Sequence, residues 1–162
     1  MFKSIRRWFE DRRIKKMGFT DAQWQEAVAG WPVMDRYQGA DRIALRDMAF
    51  RFLARKSFAP GGGFEFTDGM LLRLATMACV PVLRLGLEWY DSWQTLILYE
   101  GDFVPNRPHR SEDGLVHDRA PGLCGEAWLR GPVILSWQAV CGTGANERQV
   151  KASSLVVHVL AH

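Results

Sequence analysis

The chain has 162 residues, 48% of them hydrophobic and 24% charged, with a formal net charge of +3. That length suits one domain, or a domain and a fraction, and is enough to bury a core. The charge is too small to argue for a nucleic-acid ligand. Three well-separated cysteines (Cys79, Cys124, Cys141) without a Cys-x-x-Cys argue against a disulfide frame or a cysteine-zinc knuckle, and for reduced thiols in a cytoplasmic protein.

Residues 1–16 hold seven basic side chains against Glu10 and Asp11, and Phe2, Ile5, Trp8 and Phe9 recur at helical spacing. No long apolar run follows, so this is not a signal peptide. The stretch reads as a surface helix that docks its aromatic side on the domain and leaves its basic face in water. An amphipathic helix for anionic lipid or an acidic partner is the alternative.

Thr20 and Gln23 form a capping-box pattern that opens a helix ending before Gly30-Trp31-Pro32. A second helix is predicted from about Ala40 to Lys56, with Ile43, Leu45, Met48, Ala49, Phe52 and Leu53 as its buried stripe. Pro60-Gly61-Gly62-Gly63 is a break. A phosphate-loop reading is rejected there, because no Lys-Ser/Thr follows and no strand is expected before it. Thr67-Asp68 opens a third helix over about Gly69–Ala78. Met70–Leu87 is apolar, but Arg73, Arg84 and Pro81 interrupt it, so it reads as a buried helix followed by a strand and not as a membrane span.

Extended segments are expected at Val80–Leu85, Leu96–Tyr99, Gly114–His117 and Val133–Trp137. Asn106–Asp113 reads as an exposed loop, and Cys141-Gly142-Thr143-Gly144 as a turn. A final helix follows, capped by Ser153 or Ser154 and ending in His158-Val159-Leu160-Ala161-His162. The fold class is α+β: N-terminal helices, then a small mixed sheet, then the start of the histidine-bearing helix. The predicted division is a helical region over residues 1–78 and an incomplete catalytic domain over 79–162.

Two histidines four apart on a helix share one face and can grip one Zn²⁺. The complete motif is His-Glu-x-x-His, in which the Glu is the general base. Here that position is Val159, and the chain stops at the second histidine. A C-terminal apolar segment packed in a core, with two histidines at a frayed end, is the competing reading.

Cys79-Val80-Pro81-Val82-Leu83, Leu85-Gly86-Leu87-Glu88-Trp89-Tyr90-Asp91, Gly114-Leu115-Val116-His117 and Gly131-Pro132-Val133-Ile134-Leu135-Ser136-Trp137, with their spacing to His158, resemble blocks of the Mlc titration factor A (MtfA) family. The resemblance runs from about residue 40 to residue 162. It implies a gluzincin-type zinc metallopeptidase, related in fold to the catalytic domain of anthrax lethal factor, with aminopeptidase activity. It also implies a link to sugar-uptake genes through binding of the repressor Mlc.

Carried over, His158 and His162 fall on the two motif zinc ligands and Val159 on the catalytic Glu. The third family ligand, a downstream Glu, has no counterpart in these 162 residues, so the chain resembles the N-terminal part of its family. Proton transfer by such a carboxylate is worth about 10²–10⁴-fold, and valine has no proton to exchange. Weak zinc and no peptidase activity are therefore expected, along with exposed apolar surface where the rest of the domain would sit. His109 and His117 are candidate replacement ligands, and Glu88 (read as buried and paired) or Glu126 a candidate base, though none is expected to rescue the site. The strand Val133–Trp137 reads either as an edge that pairs with extended peptide or, equally well, as ordinary sheet core. The alternative function is a non-catalytic repressor-binding regulator. A weaker one is a membrane-surface protein acting through residues 1–16.

Overall fold

The computed structural model describes residues 2–101, 125–127 and 131–141. Five α-helices and four strands occur in this order: α1 (Phe2–Met17), α2 (Asp21–Val28), α3 (Gly39–Arg55), β1 (Ser57–Pro60), α4 (Asp68–Cys79), β2 (Thr95–Tyr99), β3 (Gly125–Ala127), β4 (Val133–Ser136) and α5 (Trp137–Cys141). Two 3-10 turns, Pro32–Arg36 and Leu87–Tyr90, lie between them. The class is α+β, as the sequence predicts.

Local chemistry sets the helix starts. Thr20 caps α2 by accepting from Gln23 N at 3.2 Å, while Gln23 Oε1 accepts from Thr20 N at 2.9 Å. Thr67 caps α4 in the same way, with the Met70 sulfur taking the reciprocal place. In α3 the buried stripe is Leu45, Ala49, Phe52 and Leu53. Ile43, expected on that stripe, is exposed instead. It lies two residues before Leu45, which puts it on nearly the opposite side of a 3.6-residue helix.

α4 packs against α2 and α3, and α1 packs against α3. Thr76 ties α4 to α2: its Oγ1 accepts from Trp24 Nε1 at 2.9 Å and donates to Leu72 O at 2.7 Å. One apolar cluster includes Trp24, Phe52, Leu74, Leu96, Leu98, Leu135 and Val140, so helices and sheet share it.

The sheet order is β1-β2-β4-β3, with β1, β2 and β4 parallel and β3 antiparallel to β4. Parallel β1 and β2 need a long crossover, and α4 provides it. Pro60, which has no N–H, sits on the edge strand β1, where a missing donor is tolerated. The strand β1 is unexpected from sequence, and it does precede the glycines. The phosphate-loop reading still fails, since no lysine follows and α4 begins only at Asp68.

The segment 80–85, expected as a strand, is a run of turns. Pro81 cannot donate, and the neighbouring amides turn back on the chain: Val80 N donates to Thr76 O, Val82 N to Cys79 O and Gly86 N to Val82 O. Gly86 closes the run at φ 96°, a conformation that favours glycine.

Lys56 is buried at the end of α3. Its Nζ donates to Tyr90 O and Trp93 O, and lies 3.9 Å from the centre of the Trp93 ring. Burial nevertheless lowers its pKa to about 8, from an ordinary 10.5. Tyr90 lines the same corner: its hydroxyl donates to Ala78 O at 2.8 Å, and its ring meets Phe52 edge-on.

α1 docks differently from the expectation. Among its described side chains Glu10 is the one that is buried; Ile14 and Met17 are half-buried, and Ile5, Trp8 and Phe9 are exposed. Glu10 Oε1 accepts from Arg55 Nε at 2.7 Å and Oε2 from Arg51 Nη1 at 3.2 Å, while Arg6 lies 3.4 Å away. Arg6 also grips Asp91 through two bonds of 2.9 and 2.6 Å. The helix is therefore held by a buried carboxylate and its arginines, which reverses the expected aromatic-side docking.

Two predictions follow from these contacts. Glu10→Ala leaves Arg51 and Arg55 without their shared carboxylate. Discounting for the partial exposure of both arginines, the cost is about 2–3 kcal/mol. It is read as a lower urea midpoint and faster tryptic cleavage within residues 6–16; an unchanged midpoint would show that α1 contributes nothing to stability. For Lys56, the unfolded chain holds the extra proton above pH 8 while the folded chain releases it, so stability rises from about pH 8 upward. From about pH 9 the buried Cys79 thiol, whose pKa burial raises above its ordinary 9.0, acts in the opposite sense, because only the unfolded thiol ionises. Urea midpoints should climb between pH 8 and 9 in the parent and not in Lys56→Met.

Candidate functional site

The site named by the sequence follows β4, whose placement the described residues show. β4 lies between β2 and β3, with Ile134 opposite both Ile97 and Glu126. It is thus an interior strand, and both of its edges are already paired. Of the two readings of Val133–Trp137, sheet core holds and the edge available to extended peptide does not; β3 and β1 are the edges.

β4 runs directly into α5. Ser136, fully buried, accepts from Ala139 N at 3.3 Å and so caps the short helix. Gln138 N donates to Glu100 O at 3.0 Å, which ties the start of α5 to the C-terminal end of β2. Gly101 fits beneath Gln138, whose Oε1 would lie 3.2 Å from an added Cβ. At the same end of the sheet the Tyr99 ring covers Gly61, where an added Cβ would stand 2.4 Å from ring carbons. Close packing therefore fixes the C-terminal edge of the sheet, from which the chain continues toward the histidine pair. Cys141, at the end of α5, is half-buried; burial pushes its thiol pKa up, and Arg73 of α4 partly opposes this.

Of the sequence-predicted site residues, His158, Val159 and His162 lie outside the described residues, as do His109 and His117. Glu126 belongs to β3 by its backbone. Glu88 is described in full; it is paired, at long range, but contradicts the buried reading. Its side chain is 61% exposed, in the 3-10 turn Leu87–Tyr90, and its closest ion-pair distance is 3.9 Å to Arg55. Among the described residues, no group of three or more His, Cys, Asp or Glu side chains is placed to hold a metal ion. The described residues thus do not fit a zinc centre by themselves.

Two adjoining cavities lie beside α1. One, of 330 Å³, is lined by Arg6, Arg7, Glu10, Arg51, Arg55 and Glu88. The other, of 250 Å³, shares Arg6 and Arg55 and reaches Lys56, Asp91 and Trp93. Their lining contains no histidine or cysteine, and it includes the ion pairs of Arg6 and Glu10 that dock α1. Two of the blocks that carry the family resemblance contribute to this same frame. Cys79 ends α4 in the core, and Leu87–Tyr90 forms the wall that Lys56 closes. Lys56 and Glu10 are the polar residues that sequence reasoning missed; a lysine directly after an amphipathic stripe and a carboxylate in a basic helix both read as ordinary surface residues.

No described helix is long and apolar enough to cross a membrane. The chain is 33% identical over 139 residues to a Mlc titration factor A of Enterobacter sp. (strain 638) and to one of Escherichia fergusonii, covering 86% of this chain and 51% of each relative. It is 32% identical over 145 residues to the Mlc titration factor A of Klebsiella pneumoniae, covering 90% of this chain and 53% of that protein. The chain therefore spans about half the length of these curated relatives. A family model described as glucose-regulated metallo-peptidase M90 matches residues 5–162, from the first turn of α1 to the second histidine of the pair, and the chain belongs to that family.

Proposed function

We propose that the chain is a zinc-peptidase scaffold of aminopeptidase type in which His158 and His162 are two ligands of the metal and Val159 replaces the general base, so that it does not hydrolyse peptides. The observation that carries this reading is the extent of the family match, which takes in the histidine pair. Two imidazoles fill only half of a tetrahedral shell, so zinc held by His158 and His162 alone is weakly bound. The Val159 side chain neither accepts nor donates a proton, and hydrolysis by this family's general-base route requires that exchange. Residues 79–162 are proposed as the incomplete catalytic part, and the protein as cytoplasmic.

Val159 itself favours a second reading, a non-catalytic regulator that sequesters a repressor of the Mlc kind. Such a role uses a surface and needs no base. The name of the relatives, Mlc titration factor A, supports it.

The test measures zinc per chain after gel filtration in metal-free buffer, and release of nitroaniline from aminoacyl-nitroanilides. Well under one equivalent of zinc is expected, falling further in His158→Ala, with no release above the uncatalysed rate. Chelator-sensitive release by pure protein would overturn the inactive assignment. A full equivalent of zinc retained by His158→Ala would move the metal to other residues. Capture of a Mlc-type repressor by a chain that shows no hydrolysis would favour the regulator.

A further inference from the structure

α1 is built the opposite way round from a helix that docks by its apolar side. Glu10, Ile14 and Met17, spaced at four and three residues, turn inward, and Arg6 on the same side engages Asp91. The outward arc carries Ile5, Trp8, Phe9, Arg12 and Lys16, at spacings of three, one, three and four residues, with Lys15 beside it. Ile5, Trp8 and Phe9 are 50%, 52% and 58% exposed. Trp8 meets Phe9 edge-on at 4.9 Å, and the Arg12 guanidinium lies over the Trp8 ring at 5.0 Å.

Among the described residues, no carboxylate pairs with this arc. Glu10 is buried among Arg6, Arg51 and Arg55, and Asp11 pairs with Arg51 at 3.0 Å. The exposed face is therefore both apolar and purely cationic, and a polar clamp on its far side holds it outward. Indole and phenyl rings settle at the depth of lipid headgroups, and lysine and arginine around them meet anionic phosphates. The face is a convex ridge along one helix, which a yielding headgroup layer accepts without a matching groove.

We propose that the outer face of α1 is a docking surface for anionic phospholipid membranes, with Ile5, Trp8 and Phe9 seated at the interface and Arg12, Lys15 and Lys16 contacting headgroups. The chain lies on the membrane and does not span it. This surface is independent of the histidine pair and of any peptidase chemistry.

The experiment is flotation of the 162-residue chain with vesicles of phosphatidylcholine alone or with one-quarter phosphatidylglycerol. Binding is expected only to the anionic vesicles, weakening as salt rises. Ile5→Ser/Trp8→Ser/Phe9→Ser should abolish it. Arg12→Gln/Lys15→Gln/Lys16→Gln should weaken it by about a hundredfold. All six side chains are exposed, so both variants should keep the parent's circular dichroism and urea midpoint. Failure to float with anionic vesicles, equal binding to neutral ones, or full binding by both variants would overturn the proposal. So would a dimer in sedimentation velocity that the apolar variant dissolves, since that would assign the face to a second copy; an acidic protein partner without vesicle binding would do the same.

Discussion

Lys56 is the last residue before β1, and its ammonium reaches the carbonyls of Tyr90 and Trp93, just ahead of β2. The first rung between the two strands follows at once, Ser57 N to Gln94 O at 3.0 Å. One buried cation thus fixes the end of α3, the start of β1 and the approach to β2 as a single corner. Phe52, Tyr90 and Trp93 pack their rings around it. A hydrophobic residue there would leave two carbonyls dry and unpaired, which is why the corner tolerates a charge whose burial is otherwise unfavourable.

The second polar anchor, Glu10, works at longer reach. It sits in the first element of the chain, yet its partners are Arg51 and Arg55 near the end of α3. Arg55 is adjacent to Lys56, so the clamp on α1 and the corner of the sheet meet on neighbouring residues. Arg55 Nη1 remains buried without a hydrogen-bond partner, its nearest acidic atom being Asp91 Oδ1 at 3.9 Å. At Lys56 desolvation lowers the pKa, the Asp91 carboxylate opposes it, and the neighbouring Arg55 and Arg6 guanidinium groups add to it.

Those features of the fold that depend on near neighbours in sequence were legible there. The capping box at Thr20, the helix start at Thr67, the α3 stripe apart from Ile43 and the strands β2 and β4 all follow from spacing within one turn or from alternation. What failed depends on distant contacts. Nothing local shows that β1 exists, because it is four residues long, ends in proline and acquires its character by pairing with β2. The aromatic side of α1 faces water because Glu10 finds arginines forty residues away, a pairing that no periodicity contains. Val80–Leu85 has the branched composition of a strand, but Pro81 and the amides that turn back toward Thr76 and Cys79 prevent it. At the candidate site, the histidine pair and Val159 were readable as a motif, and the family match extends across them. Sequence left β4 open between an edge and an interior place, since that depends on β3 pairing from the far side.

The two edges of the sheet are not equivalent toward an incoming chain. Ser57 N and Gly61 N both point to β2, and side alternation sends the intervening Pro60 position outward. Proline has no hydrogen there, so a strand laid along β1 would find an acceptor without the neighbouring donor. The loop Gly61–Gly63 then turns the chain away beneath Tyr99. Among the described residues, growth of the sheet by a further strand is therefore directed toward β3. The same imidic nitrogen that shortens β1 also protects that flank from pairing with another molecule of its own kind.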